Sequence, residues 1–466
     1  MHASACSFGG STQQEVLRSH ACPYRTESGS LLMSASHRKY DIAVIGAGAC
    51  GMTAAIAASR QGANVCLIES GSRVGTKILK TGNGRCNLSH TPIEGSEYRG
   101  SGDGRIGTFL MTFGVGETLK FFGSIGLITR EKDGYIYPYS EMASSVLDVL
   151  RFAVKDSGAD VICSVKVTDI IRSDDGYTLQ CESDPDEKGK TVKSAYHASK
   201  VILCTGGCAD PATGSDGSGI RIAQKLGLKV VKPLPALVKV TVTNSRDLAV
   251  CAGVRCKGIV SVYMGDGGSD MSSGTEAVAS DRGEIQFTKD GLSGIPIFNV
   301  SRYISRALDG SVRVRVKLDL CPEMSADELV SFIMGYIRNG CSAGDISTEE
   351  ALAGIMNKKI NTYILKSTGI RPSTPVRDIG RDRIVKYADA VKMLEFDING
   401  TYGFEQAQVT SGGVDMCEVD DNLQSVKYPG LYLAGELLDV DGPCGGYNLQ
   451  WAWTSGYLAG KSAAAK

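Results

Sequence analysis

The sequence predicts an α/β fold in which one domain is interrupted by a β-rich insert and a small helical insert. Three observations predict it. A strand–glycine turn–helix–strand unit spans residues 40–69. Short alternating β segments separated by glycine turns dominate residues 237–320. Buried-strand and helix texture then returns at 396–466, so the first and last segments build one domain around the middle.

Composition narrows the classes. The chain has 466 residues, 42% hydrophobic and 22% charged, which suits two or three globular domains. A net charge of −1 gives no electrostatic case for a nucleic acid or an anionic membrane as partner. No apolar run reaches the ~20 residues of a membrane span. Residues 1–38 lack the apolar core of a secretory signal. They read as a disordered extension, with Met33 as an alternative start and a cytoplasmic location expected. The 15 cysteines include no Cys-x-x-Cys pair. That argues against a redox dithiol, a zinc knuckle and an iron–sulfur cluster, and for free thiols in a reducing cytosol. Of the five histidines, His2, His20 and His37 precede any periodic pattern, so no multi-histidine metal site is expected.

The elements follow in order. Tyr40-Asp41-Ile42-Ala43-Val44-Ile45-Gly46 is a buried parallel strand, 50–61 an alanine-rich helix, and Asn64–Glu69 a second buried strand. Residues 142–157 read as helix. Asp160–Ile171 and Tyr177–Glu182 read as strands joined across Asp174-Asp175-Gly176, and Lys200–Cys204 is another buried strand. Gly219–Leu226 is a helix ended by Gly227. Leu237–Thr243 and Val312–Leu318 alternate as barrel or sandwich strands, with a turn at Gly265-Asp266-Gly267-Gly268. Residues 325–368 read as helical, opened by a capping box at Ser325–Glu328, and β texture is expected again around 375–395.

Gly46-Ala47-Gly48-Ala49-Cys50-Gly51 matches G-x-G-x-x-G after a strand and before a helix, the context that makes this weak pattern informative. Gly46 allows the tight turn, Gly48 a close backbone approach to a pyrophosphate, and Gly51 close helix–strand packing. Glu69 lies 18 residues past Gly51 and suits ribose hydroxyls. It would repel a 2′-phosphate, so the bound nucleotide is FAD or NAD rather than NADP. The far end of the chain favours FAD. There a buried strand reaches Gly435 and Glu436, and Asp441-Gly442-Pro443-Cys444-Gly445-Gly446-Tyr447-Asn448 opens a helix. Such a turn brings backbone N–H groups and a helix dipole to a flavin ring.

Several stretches together resemble the BaiN/YhiN-type flavoproteins, labelled NAD(P)/FAD-dependent or aminoacetone-oxidase-family FAD-binding enzymes. They include Gly75–Leu79, Thr81–Asn87, Gly134–Ser140, Thr205-Gly206-Gly207, Thr213–Gly217, Gly283–Thr288, Gly291–Gly294, Val409–Val414 and Gly430–Gly460. The resemblance covers 39–466. Departures at Cys208–Pro211 and Ile295 leave the FAD assignment intact. It implies an FAD-binding, Rossmann-like domain of the two-dinucleotide-binding type, interrupted by a β-barrel-like insert and a small helical insert. The expected bounds are 39–235 and 396–466 for the FAD domain, 236–322 and 374–395 for the barrel, and 323–373 for the helices.

The expected cofactor contacts are Gly46, Ala47, Gly48, Ala49, Gly51, Glu69, Ser70, Lys77, Gly82, Asn83, Gly84, Arg85, Asn87, Val167, Thr205, Gly206, Gly435, Glu436, Asp441, Gly445, Gly446, Tyr447 and Asn448. Lys77 and Arg85 could neutralise the pyrophosphate or a flavin anion. The expected activity is hydride transfer from NAD(P)H through FAD to a small molecule. The resemblance implies an activated C=C bond, with 3-oxo bile-acid intermediates as the linked class. Tyr447, Tyr137 and Tyr139 are candidate acids for the carbon beside the carbonyl. An amine oxidase and a non-catalytic flavin-binding or RNA-modification accessory protein are the alternatives. Oligomeric state is open.

Overall fold

The computed structural model describes residues 39–465 apart from 103, 184–190, 244, 266–275 and 341–345. The expected extension and most of the Gly265–Gly268 turn lie outside the described residues.

Runs of β-branched and aliphatic residues, buried on both faces, build the central sheet. Lys39–Ile45 pairs in parallel with Val65–Ile68 on one side and with Lys193–Leu203 on the other. Asp160–Ile162 extends the sheet beyond Val65–Ile68, and Leu431–Leu433 joins in parallel at Val201–Leu203. The first half of the long Lys193–Leu203 strand also pairs antiparallel with Gly176–Ser183, which in turn pairs with Val165–Ser173. The sequence therefore returns to this sheet about 230 residues after leaving it, through a strand only three residues long.

Two helices cover one region of this sheet. Ala49–Ser59 has Cys50–Ala58 all buried. The C-terminal helix Tyr447–Ala464 packs on it through glycines one turn apart. A Cβ at Gly456 would lie 2.4 Å from the Cys50 carbonyl oxygen, and one at Gly460 would lie 2.3 Å from that of Ala54. Small residues at that spacing let two helix backbones touch. Trp451 and Trp453 are fully buried, and their indole N–H groups donate to the carbonyls of Gly435 and Leu88 at 3.1 and 3.0 Å. That satisfies both polar handles inside the core.

Six antiparallel strands close a barrel: Val240–Val242, Gly291–Ser293, Ala279–Phe287, Arg255–Gly265, Arg313–Asp319 and Leu394–Thr401. Its core is a separate apolar cluster, distinct from the one around the central sheet. The strand Val230–Ala236 pairs with Val409–Val414 between the two bodies.

The structure corrects two readings of texture. Ile295–Asp309, within the stretch read as β, is a helix whose Ile297, Val300, Ile304 and Ala307 are buried in the barrel's core cluster. Pro296 in its first turn and the spacing of those residues carry the helical signal. Residues 381–392, expected as β, also form a helix, burying Ile384, Tyr387, Ala388 and Val391 at helical spacing. The barrel's last strand, Leu394–Thr401, runs past the expected boundary at 395. Leu237–Thr243 is a strand only at Val240–Val242.

Substituting Gly460→Ala forces the helix pair apart and is expected to cost about 1–3 kcal/mol. A lowered thermal melting temperature of the purified protein checks it.

Candidate active site

A cleft of about 710 Å³ opens where the ends of the central strands meet the barrel insert. Its first wall is the turn after Lys39–Ile45. Gly46 has φ +94°, and a Cβ there would lie 2.6 Å from the Cys204 carbonyl oxygen. A Cβ at Gly51 would overlap the Gly46 carbonyl oxygen at 1.8 Å, whereas one at Gly48 would meet nothing within 4 Å. Gly46 and Gly51 therefore serve packing, and Gly48 borders open space in the cleft. Glu69 accepts from the backbone N–H groups of Ala47 at 2.8 Å and Gly71 at 2.7 Å, and from Ser70 Oγ at 3.3 Å. Burial pushes its carboxyl above the usual range, while those three donors pull it back.

The second wall is the turn before the C-terminal helix. Gly446 caps that helix at φ +96°, and a Cβ there would strike the Ser89 backbone at 2.5 Å. Asn448 holds the turn from within, accepting from the Gly442 N–H and donating to the Gly442 carbonyl, both at 2.9 Å. Asn299 of the insert holds it from outside, accepting from the Cys444 N–H at 2.8 Å. The unpaired N–H groups of a helix N-terminus thus stand in the cleft wall.

The loop between Lys77 and Asn87 forms a third wall. Lys77 makes a half-buried ion pair with Glu436 at 2.8 Å, and the other oxygen of Glu436 accepts from the Thr410 N–H. This ties the loop to the C-terminal strand end across 359 residues of sequence. Arg85 sits over the Tyr137 ring at 5.4 Å.

Most expected contacts meet in this one cleft. Gly46, Gly48, Ala49, Glu69, Ser70, Lys77, Gly82, Asn83, Arg85, Asn87, Val167, Thr205, Gly206, Glu436, Gly445, Gly446 and Asn448 all line it, as does Tyr137. Ala47, Gly51 and Gly84 do not. Gly435 packs behind the wall against Cys50. Asp441, expected at the cofactor, is instead buried against Arg302 of the insert at 3.0 Å, 3% exposed at its side chain. Tyr447 stacks on His90, with ring centres 5.0 Å apart and its hydroxyl 3.3 Å from Nδ1, and is outside the lining. Tyr139 is 66% exposed at the surface beside Arg130 and is not among the cleft lining.

Other lining residues escaped the sequence reading. Leu237, Ile295, Phe298 and Val409 form an apolar wall, and Cys444 and Tyr135 stand beside the glycine turn. Arg73, Lys166 and Gln408 also line the cleft. Ile295 is an aliphatic residue half exposed into this space, a departure already visible in the sequence.

The lining fits FAD. The open position at Gly48, the helix N-terminus at Ala49 and the second one at Gly446 suit a pyrophosphate and a ring carbonyl. Asn87 Oδ1 and Thr205 Oγ are buried in the lining without a hydrogen-bond partner, as groups waiting for a ligand are. Among the described residues no cluster could hold a metal ion, and no helix is long and apolar enough to cross a membrane.

Comparison with known proteins places this architecture. The HI0933-like protein Rossmann domain family matches residues 40–462. The chain belongs to that family. A 3-dehydro-bile acid delta(4,6)-reductase of Clostridium scindens is 38% identical over 91% of this chain and 98% of its own. A ribosomal RNA dihydrouridine synthase of Escherichia coli is 28% identical over 90% of this chain and 96% of its own. Among solved structures, a 3-ketosteroid-delta4-(5alpha)-dehydrogenase from Rhodococcus jostii RHA1 is 14% identical with a TM-score of 0.46, covering 92% of this chain and 98% of that one. As a member of the HI0933-like family, the protein is an FAD-dependent oxidoreductase.

Two tests address the site. Glu69→Ala removes a charged acceptor and is expected to weaken FAD binding by roughly 10- to 100-fold, about 1.5–3 kcal/mol. Flavin fluorescence titration of the apoprotein checks it. Burial raises Asp441 from 3.8 to about 6, Arg302 partly opposing it. The native state then holds this proton more tightly than the unfolded chain, so its contribution to stability falls as pH rises from 3.8 to about 6. Asp441→Asn should flatten that part of the melting-temperature profile between these pH values.

Proposed function

We propose that this enzyme reduces a C=C bond conjugated to a carbonyl in an apolar small molecule, with NAD(P)H as the transient electron donor. The apolar wall of Leu237, Phe298 and Val409 beside Cys444 carries the reading, because it gives a hydrophobic substrate a place next to the glycine turn. FAD held between the Gly48 and Gly446 walls would supply two-electron hydride chemistry linking the donor and the substrate. The chain's own residues position and tune. The Gly446 helix end favours negative charge at its N-terminus. Asn448 and Asn299 fix the turn that carries it. The apolar wall excludes water from the reacting carbons.

The names of the relatives support the same chemistry. A 3-dehydro Δ4,6 bile acid and a uridine each carry a C=C bond conjugated to a carbonyl. The bile-acid reductase is the more similar of the two, 38% against 28% identical. A net charge of −1 likewise suits a small molecule better than ribosomal RNA. A cytoplasmic setting, where NAD(P)H is at hand, completes the reading.

Anaerobic titration of the purified holoenzyme with NADH and with NADPH should bleach the flavin band with one of them. Adding a 3-dehydro-Δ4,6 bile acid should restore it and yield the reduced steroid. Hydrogen peroxide formed from a small amine, with no response to the steroid, would instead make it an amine oxidase. A flavin that no donor reduces would leave a non-catalytic binding protein.

A further inference from the structure

We propose that Cys444 is the proton donor of this reaction, its thiol facing the substrate chamber and its backbone held in place by Asn299 and Asp281 of the barrel insert. The proposal rests on the reduction of an activated C=C bond set out above.

Cys444 lies inside the Gly442–Gly446 turn and lines the cleft. Its side chain packs with Phe298 against the cluster formed by Ala236, Leu237 and Val409, so the thiol belongs to the apolar wall. Its thiol donates to Gln408 Oε1 at 3.9 Å. A thiol is a weak donor, so this bond holds the proton only lightly. Its backbone is fixed differently. Asn299 Oδ1 accepts from the Cys444 N–H at 2.8 Å, and Asn299 Nδ2 donates to Asp281 Oδ2 at 2.7 Å. Two residues of the insert therefore set the position of a turn that belongs to the flavin domain.

Other protic groups stand near this end of the cleft. The Tyr137 ring lies under Arg85, a contact that leaves its hydroxyl a rival donor. Tyr447 faces His90 and is outside the lining. The Cys50 thiol donates a hydrogen bond to Cys204 Sγ at 3.4 Å, and both are free and buried. Tyr135 is also a rival, because its ring edge abuts Gly445 and its phenol lies close enough to Cys444 for the two to interact electrostatically. It stands in the small sheet formed with Ser89–His90 and Thr129–Lys132, and its Phe variant separates the two donors. An independent sign of a ligand in the same cleft is Asn87, 8% exposed, with Oδ1 buried and unpartnered.

The step balances. The C=C π bond breaks, and a C–H bond forms at the β-carbon with hydride from the reduced cofactor. The electron pair moves onto the carbonyl to give an enolate. The Sγ–H bond of Cys444 then breaks, a C–H bond forms at the carbon that was conjugated to the carbonyl, and the thiolate takes a proton from water. Burial and the charge of Asp281 push the thiol up to about 12. It is therefore fully protonated at neutral pH, yet still a stronger acid than a C–H beside a carbonyl.

The test uses holoenzyme reduced anaerobically with dithionite and then mixed with either a 3-dehydro-Δ4,6 bile acid or ferricyanide. Ferricyanide takes electrons only and needs no carbon protonated. Cys444→Ala is expected to keep its flavin and its ferricyanide rate, and to be reoxidised by the steroid ~100-fold more slowly. In D2O the wild-type product should carry deuterium on one face of the protonated carbon, and the residual product of the variant on both. Steroid reoxidation within three-fold of wild type, with deuterium still on one face, would overturn the proposal. So would an equal fall in both rates, which marks a structural role, or a loss in Tyr135→Phe or Tyr137→Phe alone, which gives the proton to that phenol. If reduced wild type is reoxidised by ferricyanide but not by the steroid, the functional reading itself fails and takes the proposal with it.

Discussion

Gly456 and Gly460 let the C-terminal helix lie directly on the backbone of the helix at 49–59, and the rest of the site depends on that contact. The first helix begins at Ala49, under the G-x-G-x-x-G turn, and the second at Tyr447, after the Gly445–Gly446 turn. Fixing one helix against the other therefore fixes two N-termini, drawn from opposite ends of the chain, in the walls of one cleft. A larger residue at either glycine would tilt one N-terminus relative to the other. Helix packing here is thus a constraint on cofactor geometry as well as on stability.

The second constraint is electrostatic and joins the insert to the flavin domain. Arg302 and Arg306 of the helix at 295–309 both reach Ser411, and Arg302 also pairs with buried Asp441. Asp439 beside it accepts from the Ser101 N–H at 2.9 Å. Buried charges of this kind add little net stability but are costly to misplace. They set how the barrel sits against the glycine turn, and therefore where the apolar wall meets the turn. The Asp281–Asn299–Cys444 chain repeats the same logic with neutral donors at the cleft itself.

Much of the fold was legible because its signals are local. The turn at Gly46–Gly51 sits between a strand and a helix, and the acid at Glu69 ends the next strand, so spacing alone locates them. The helix at 295–309 was masked by neighbouring strands, although Pro296 and the Ile297–Val300–Ile304 spacing announce it. Asp441 was expected at the cofactor as the first residue of the Asp441–Asn448 stretch. In the structure it pairs with Arg302, which lies 139 residues earlier and which no local pattern reveals. The apolar wall was hidden in the same way. Leu237, Phe298 and Val409 come from three separate segments, and only tertiary structure collects them. Tyr139 and Tyr447 were attractive as phenols, yet their surroundings, surface in one case and a stacked His90 in the other, decide against a place in the cleft.

Both glycine turns are asked to serve one adenine–isoalloxazine molecule, and the content of the purified protein addresses this most directly. Released cofactor, identified by mass and quantified against protein, should be FAD at one molecule per chain, with the bound form yellow. Protein that is colourless as isolated, and that stays colourless after incubation with excess FAD, would contradict the account.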